Sequence, residues 1–108
     1  MYRIIFEHHP LPDKIIEFQG AWKNSSDIIQ TYPGARGTRL FRSLDDPTTF
    51  YAIADWESKE ARDSAMDEIG RRKDAKSVLH WTTNLVTGVR ALTSMNLVAE
   101  SIPSKNNL

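Results

Sequence analysis

The chain contains no cysteine. That absence excludes a disulfide scaffold, a zinc–thiolate site and a cysteine nucleophile, and it fits a reducing compartment. Neither charge sign is in excess: 14 basic and 14 acidic side chains give a formal net charge of zero. No positive field is available to gather a polyanion, so nucleic-acid binding is disfavoured. Long hydrophobic runs are also missing. The opening MYRIIFEHHPLPDK has no signal-like apolar core. The most apolar region, Val78 to Ala99, is interrupted by His80, Asn84, Arg90 and Asn96, so no membrane span is expected. Repeats and low-complexity tracts are lacking. So are H-x-x-x-H, a phosphate loop of the right glycine spacing and G-x-S-x-G. His8, His9 and His80 do not combine with other ligand types at metal-binding spacing, so neither metal nor cofactor is expected. The reading from these absences is a cytoplasmic protein without membrane or nucleic-acid partners.

What is present suffices for one domain: 108 residues, with the domain expected over 1–102 and a frayed polar tail over 103–108. Tyr2 to His8 has the aromatic and β-branched content of a strand, which His9-Pro10-Leu11-Pro12 breaks. Ile15, Phe18, Trp22 and Ile29 recur near helical spacing, predicting a helix over about Asp13 to Tyr32, weakened in the middle by Gly20 and Asn24-Ser25-Ser26. Strands follow over Gly37 to Leu44 and Thr49 to Trp56, joined by the turn residues Asp45-Asp46-Pro47-Thr48. Ser58 is a natural cap for the next helix, which ends near Gly70. The stripe Val78, Trp81, Leu85, Val89 and Leu92 predicts a further helix, and Ser94 to Ile102 a last strand. The order β-α-β-β-α-(α)-β is that of a ferredoxin-like split βαβ sandwich: an α+β domain with a four-stranded antiparallel sheet and helices on one face.

Alternation sorts the strand residues onto two faces. Tyr2, Ile4, Phe6, His8, Leu40, Phe50, Ala52, Ala54, Trp56, Met95, Leu97 and Ala99 form a nearly apolar set, assigned to the helix side. The other set mixes Arg3, Glu7, Arg39 and Asp55 with Ile5, Phe41, Ile53 and Val98. Apolar anchors among opposite charges suit a partner surface, so a homodimer packed through Ile5, Phe41, Ile53 and Val98 is expected; the alternative is a half-wet sheet in a monomer. With the first and third strands taken as central and parallel, His8 and Trp56 end side by side beneath the helices. His9 points the other way. His80 and Trp81, on the helix stripe, are placed to close the same space. Trp56 then either fills the core or lines a pocket.

The stretch PGARGTRLFRSLDDPTTFYAIADWESKEA resembles the antibiotic biosynthesis monooxygenase domain. The resemblance rests on Pro33-Gly34, on Gly37 to Leu40 and on Trp56-Glu57-Ser58 before a helix, with FQGAWKNSSDIIQTYPG similar to that family's first helix. It implies a ferredoxin-like protomer that pairs into a dimeric α/β barrel. It also implies one of three activities: oxygenation of phenols or hydroquinones without metal or flavin, haem degradation, or none. Trp56 matches the pocket tryptophan of the phenol-oxidising type. That type's asparagine and tyrosine fall at Ala52 and Arg62. The haem-degrading type's asparagine falls near Glu7 and His8, its second tryptophan at Ala65, and its histidine most nearly at His80.

Cofactor-free oxygenation needs a base, a dry pocket and a donor for the developing oxyanion. His8 has the ordinary pKa for the base, Trp56 the indole N–H, and Tyr2, Phe6, Ala52, His80 and Trp81 complete the expected substrate contacts. The expectation is an oxygenase acting on a small electron-rich aromatic. The alternatives are a non-catalytic dimeric binding domain and a haem protein.

Overall fold

The computed structural model describes residues 1–104, apart from the side chains of Trp81 and Thr83. The last four residues of the expected polar tail, 105–108, lie outside that set. Four strands form one sheet in the order β2-β3-β1-β4, every neighbouring pair antiparallel. The strands are β1 (Tyr2–Pro10), β2 (Ala35–Arg42), β3 (Phe50–Trp56) and β4 (Val86–Asn96); the helices are α1 (Ile15–Ile29), α2 (Lys59–Gly70), α3 (Ala75–Val78) and α4 (Trp81–Asn84). This is the ferredoxin-like arrangement expected. Among the described residues no helix is long and apolar enough to cross a membrane.

Helix α1 buries Phe18, Trp22, Ser25 and Ser26, spaced as one face of a helix. It runs unbroken where the sequence predicted weakness. Ser25 Oγ donates to the Trp22 carbonyl at 3.1 Å, so a buried hydroxyl is satisfied without opening the helix. Gly34 then takes φ +87°, a left-handed conformation that few side chains tolerate, and a Cβ built there would lie 2.5 Å from Ala61 Cβ. The Gly34 carbonyl accepts from the Glu57 N–H at 2.8 Å, tying the entry of β2 to the end of β3. The β2–β3 turn closes on Asp46, whose carboxylate accepts from the Thr48 N–H and from the Thr48 and Thr49 hydroxyls. Ser58 caps α2 as expected, accepting from the Ala61 N–H at 3.1 Å.

The C-terminal third departs from expectation. Val78, Trp81, Leu85, Val89 and Leu92 do not share one helix. Two single-turn helices, α3 and α4, are followed at Val86 by β4, and 97–104 have no regular structure. The β-branched Val86, Thr87, Val89 and Thr93 favour extended backbone, and β1 offers an unpaired edge; that long-range pairing outweighs a local 3–4 spacing. The pairing begins where the Leu11 N–H donates to the Leu85 carbonyl at 3.0 Å.

Strand β4 also carries a bulge. Ile5 faces Thr93 but Phe6 faces Ala91, leaving Leu92 as an extra residue. Met95 therefore pairs with Arg3 on the open face and not with the helix-side set to which alternation had assigned it. Leu97, Ala99 and Val98 fall beyond the strand, so none belongs to a sheet face. Val98, 95 % exposed, is removed from the expected dimer surface.

Candidate functional site

A cavity of about 250 Å³ lies between the sheet and the helices. Its floor is β1 and β3, through Ile4, Phe6, His8, Ala52, Ala54 and Trp56, and α1 and α2 contribute Trp22, Ile29, Arg62 and Met66 to its walls. The floor follows from alternation along β1 and β3: Phe6 faces Ala52 and Ile4 faces Ala54.

His8 and Trp56 both line this cavity but do not adjoin. Strand β3 lies antiparallel to β1, so Trp56 pairs with Tyr2 and His8 with Phe50. Six residues of strand separate the two positions, roughly 20 Å along the sheet. The expectation of parallel neighbours is corrected by the topology: β3 inserts, reversed, between the two strands of the split βαβ unit, β1 and β2, which run in the same direction.

His8 is 2 % exposed, with its ring centroid 5.6 Å from Phe18 and 6.2 Å from Phe6. Burial, and secondarily the neighbouring His9, push its pKa down from 6.5 to about 4. The imidazole is therefore neutral at pH 7. His9 points to the open face as expected, with Nε2 2.5 Å from Glu7 Oε1. Trp56 is 3 % exposed and packs with Tyr2, Ile4 and Ala65, so it fills core and walls the cavity at once.

Phe6 and Ala52 line the cavity as expected. Tyr2 is buried in the Trp56 cluster and borders an adjoining groove with Arg62, Ala91 and Ser94. His80 is exposed, its Nδ1 3.0 Å from the Ser77 carbonyl oxygen, and does not close the space, because the helix expected to aim it inward ends and restarts around it. The side chain of Trp81, the remaining expected contact, lies outside the described residues. Sequence reasoning gave no site role to Trp22, Ser25, Ser26, Met66 or Arg62, all of which line the cavity. Trp22 was legible as the inner stripe of α1. Arg62 was legible only as the occupant of the family's tyrosine position.

The model of the antibiotic biosynthesis monooxygenase family matches residues 1–68, which span β1 to most of α2. The chain belongs to that family. No curated protein matches it. Among solved structures it is similar to SnoaB, a cofactor-independent oxygenase from Streptomyces nogalater, at 16 % identity and TM-score 0.75, over 95 % of this chain and 97 % of that one. It is similar to Rv0793 of Mycobacterium tuberculosis at 17 % identity and TM-score 0.72, over 94 % and 98 % of the two chains. A Nitrosomonas europaea protein given the same family name aligns at 15 % identity and TM-score 0.73, over 92 % and 100 %. At such identities these likenesses concern the fold.

Among the described residues no cluster of three or more histidine, cysteine or carboxylate side chains is placed to hold a metal. The cavity, about 250 Å³, is below the roughly 300–1,000 Å³ of pockets for drug-sized ligands, and His80 stands outside it.

Proposed function

We propose that the chain is a cofactor-independent monooxygenase that oxidises a small electron-rich aromatic of the phenol, hydroquinone or anthrone type with O2. One observation carries the reading: an apolar cavity, walled by the tryptophan of the family's Trp-x-Ser motif, that also contains a buried neutral imidazole. The kinship of fold with a cofactor-independent oxygenase supports it.

In this reading Phe6 and Ala52 contact the ring, Trp56 forms its aromatic wall and offers an indole N–H, and His8 accepts a proton from a hydroxyl at its end of the cavity. The roles are divided, because His8 and Trp56 sit too far apart to act on one atom. The substrate anion passes an electron to O2, and the radical pair joins as a C–O bond. Protonation and loss of water then leave a carbonyl. For a CH2 carbon the balance is CH2 + O2 → C=O + H2O: the substrate supplies four electrons, one oxygen atom is retained and the other leaves as water.

The test is oxygen uptake against a panel of hydroquinones and anthrone-like phenols. Uptake is expected with at least one, falling about 10²-fold or more in His8→Ala, the scale of a lost proton acceptor, and falling also in Trp56→Phe. No uptake above buffer across the panel sinks the enzyme reading. It would leave a non-catalytic small-molecule-binding domain, which Ala52 and Arg62, at the family's asparagine and tyrosine positions, favour.

The open sheet face, with Ile5, Ile53 and the 48 % exposed Phe41, is proposed to pair with a second copy. The cysteine-free composition suits the cytoplasm as its compartment.

A further inference from the structure

Among the described residues the cavity has one fixed charge: of those lining it only His8 and Arg62 are titratable, His8 is neutral, and none is a carboxylate or lysine. Arg62 stands in the first turn of α2, 33 % exposed at the side chain, where the cavity meets the groove bordered by Tyr2, Ala91 and Ser94. Among the described residues its side chain donates to Asp63, 3.3 Å from Nη1. Asp63 is held more closely by Lys59, at 2.7 Å. Most of the five guanidinium donors of Arg62 thus remain for something else.

Helix stability does not account for this placement. The positive end of a helix dipole disfavours a cation in the first turn. Charge balance within the cavity does not account for it either, since the site has no acid. A cation beside an apolar space attracts an oxyanion more strongly there than in water, because the local dielectric is low.

We infer that Arg62 selects ligands bearing an oxyanion on an aromatic ring, a phenolate or a carboxylate, and holds that oxyanion where α2 meets the cavity. The inference rests on the proposed function only for its aromatic part. It also resolves a difficulty in that proposal. An acceptor with a pKa of about 4 is a weak base towards an ordinary phenol, whose pKa is about 10. A guanidinium beside a ring hydroxyl at the Tyr2 end of the cavity lowers the pKa of that hydroxyl without His8, so the ring arrives at O2 already charged. Arg62 would then be a specificity-determining residue at the place where the family's tyrosine stands.

The experiment measures binding, not turnover. Quenching of tryptophan fluorescence from Trp22 and Trp56 reports the affinities of 1-naphthoate and of neutral 1-naphthamide. The wild type is expected to prefer the anion by about tenfold or more, the scale of one charge-assisted hydrogen bond. Arg62→Gln is expected to reduce the preference to near unity with the naphthamide affinity unchanged, and Arg62→Lys to restore part of it. A fold defect in Arg62→Gln would weaken both probes together and be recognised by that. A second arm titrates 2-naphthol by absorbance: its bound pKa is expected to fall in the wild type and not in Arg62→Gln. A shift in this arm alone assigns the site to phenolates, and a preference in the first arm alone assigns it to carboxylates. Equal affinity for both naphthalene probes with no shift for naphthol, or the same preference in wild type and Arg62→Gln, overturns the inference, as does failure of every probe to bind. Anion preference without oxygen uptake would retain this inference and remove the oxygenase; uptake without the preference would do the reverse.

Discussion

His8 carries a pH dependence that the fold imposes on it. Its imidazole titrates near 6.5 when solvated and near 4 in the folded chain. Between those values the unfolded state holds the extra proton, so acid favours unfolding. The stability is complete above pH 6.5 and is lost as the pH falls towards 4. The full shift corresponds to about 3 kcal/mol. Chemical denaturation at pH 7 and pH 4.5 should find most of that loss in the wild type and a flatter profile in His8→Leu. Carboxylates held below their usual range, such as Asp46 and Asp74, act in both proteins and cancel in the comparison. Parallel profiles would show that His8 is not the titrating group. At this scale the sequence was informative where causes are local. Ser58 as a cap and His8 and Trp56 as inward-facing residues follow from spacing and alternation. That His8 and Trp56 lie at opposite ends of the cavity does not, because strand direction is set by pairing partners far along the chain.

Among the elements, the junction of β2 with α2 is the most tightly specified. Gly34 needs both its left-handed backbone and its missing Cβ, since Ala61 of α2 occupies the space a methyl would take. Gly34→Ala is expected to cost about 2 kcal/mol or more, combining left-handed strain with displacement of the helix. A melting-temperature drop of several degrees in calorimetry is the readout. An unchanged melting temperature would mean that α2 shifts freely. The elements from β1 to α2 were legible because cap, turn and period agree there. From Val78 onward they conflict. A helical apolar stripe overlies β-branched residues, and the free edge of β1 decides for a strand. The family model ends before this segment, at residue 68.

On the scale of the whole molecule, one sheet face is covered by helices and the other is not. The uncovered face sets Ile5 and Ile53 beside an Arg3–Asp55 ion pair at 2.6 Å and a Glu7–Arg90 pair at 3.0 Å. A two-fold interface uses the same patch on both copies, and the proposed pairing would bring these apolar and ionic rows together. Sedimentation equilibrium is expected to give twice the protomer mass for the wild type and the protomer mass for Ile53→Arg, which sets an unpaired cation at the centre of the surface. A wild-type protomer that stays single at tens of micromolar would leave the face as an open sheet. The apolar anchors were legible by alternation for β1 to β3. Val98 and Met95 were misplaced because alternation was carried into a segment whose starting point and bulge the sequence does not mark.

The bulge at Leu92 has a consequence of its own. It acts as a change of reading frame for the strand. Before it, Val89 and Ala91 point under the helices; after it, Ser94 and Asn96 do, while Thr93 and Met95 turn outward. One supernumerary residue thus decides which side chains face the helices and which face the open side of the sheet. The same strand paired without the bulge, with Leu92 taking an ordinary place in the ladder, would exchange the two sets beyond it, setting Met95 above the Tyr2 end of the sheet and Asn96 on the opposite side, whereas deletion of Leu92 would leave both sets where they are. A change of length in this strand therefore switches sidedness only where the bulge does not absorb it.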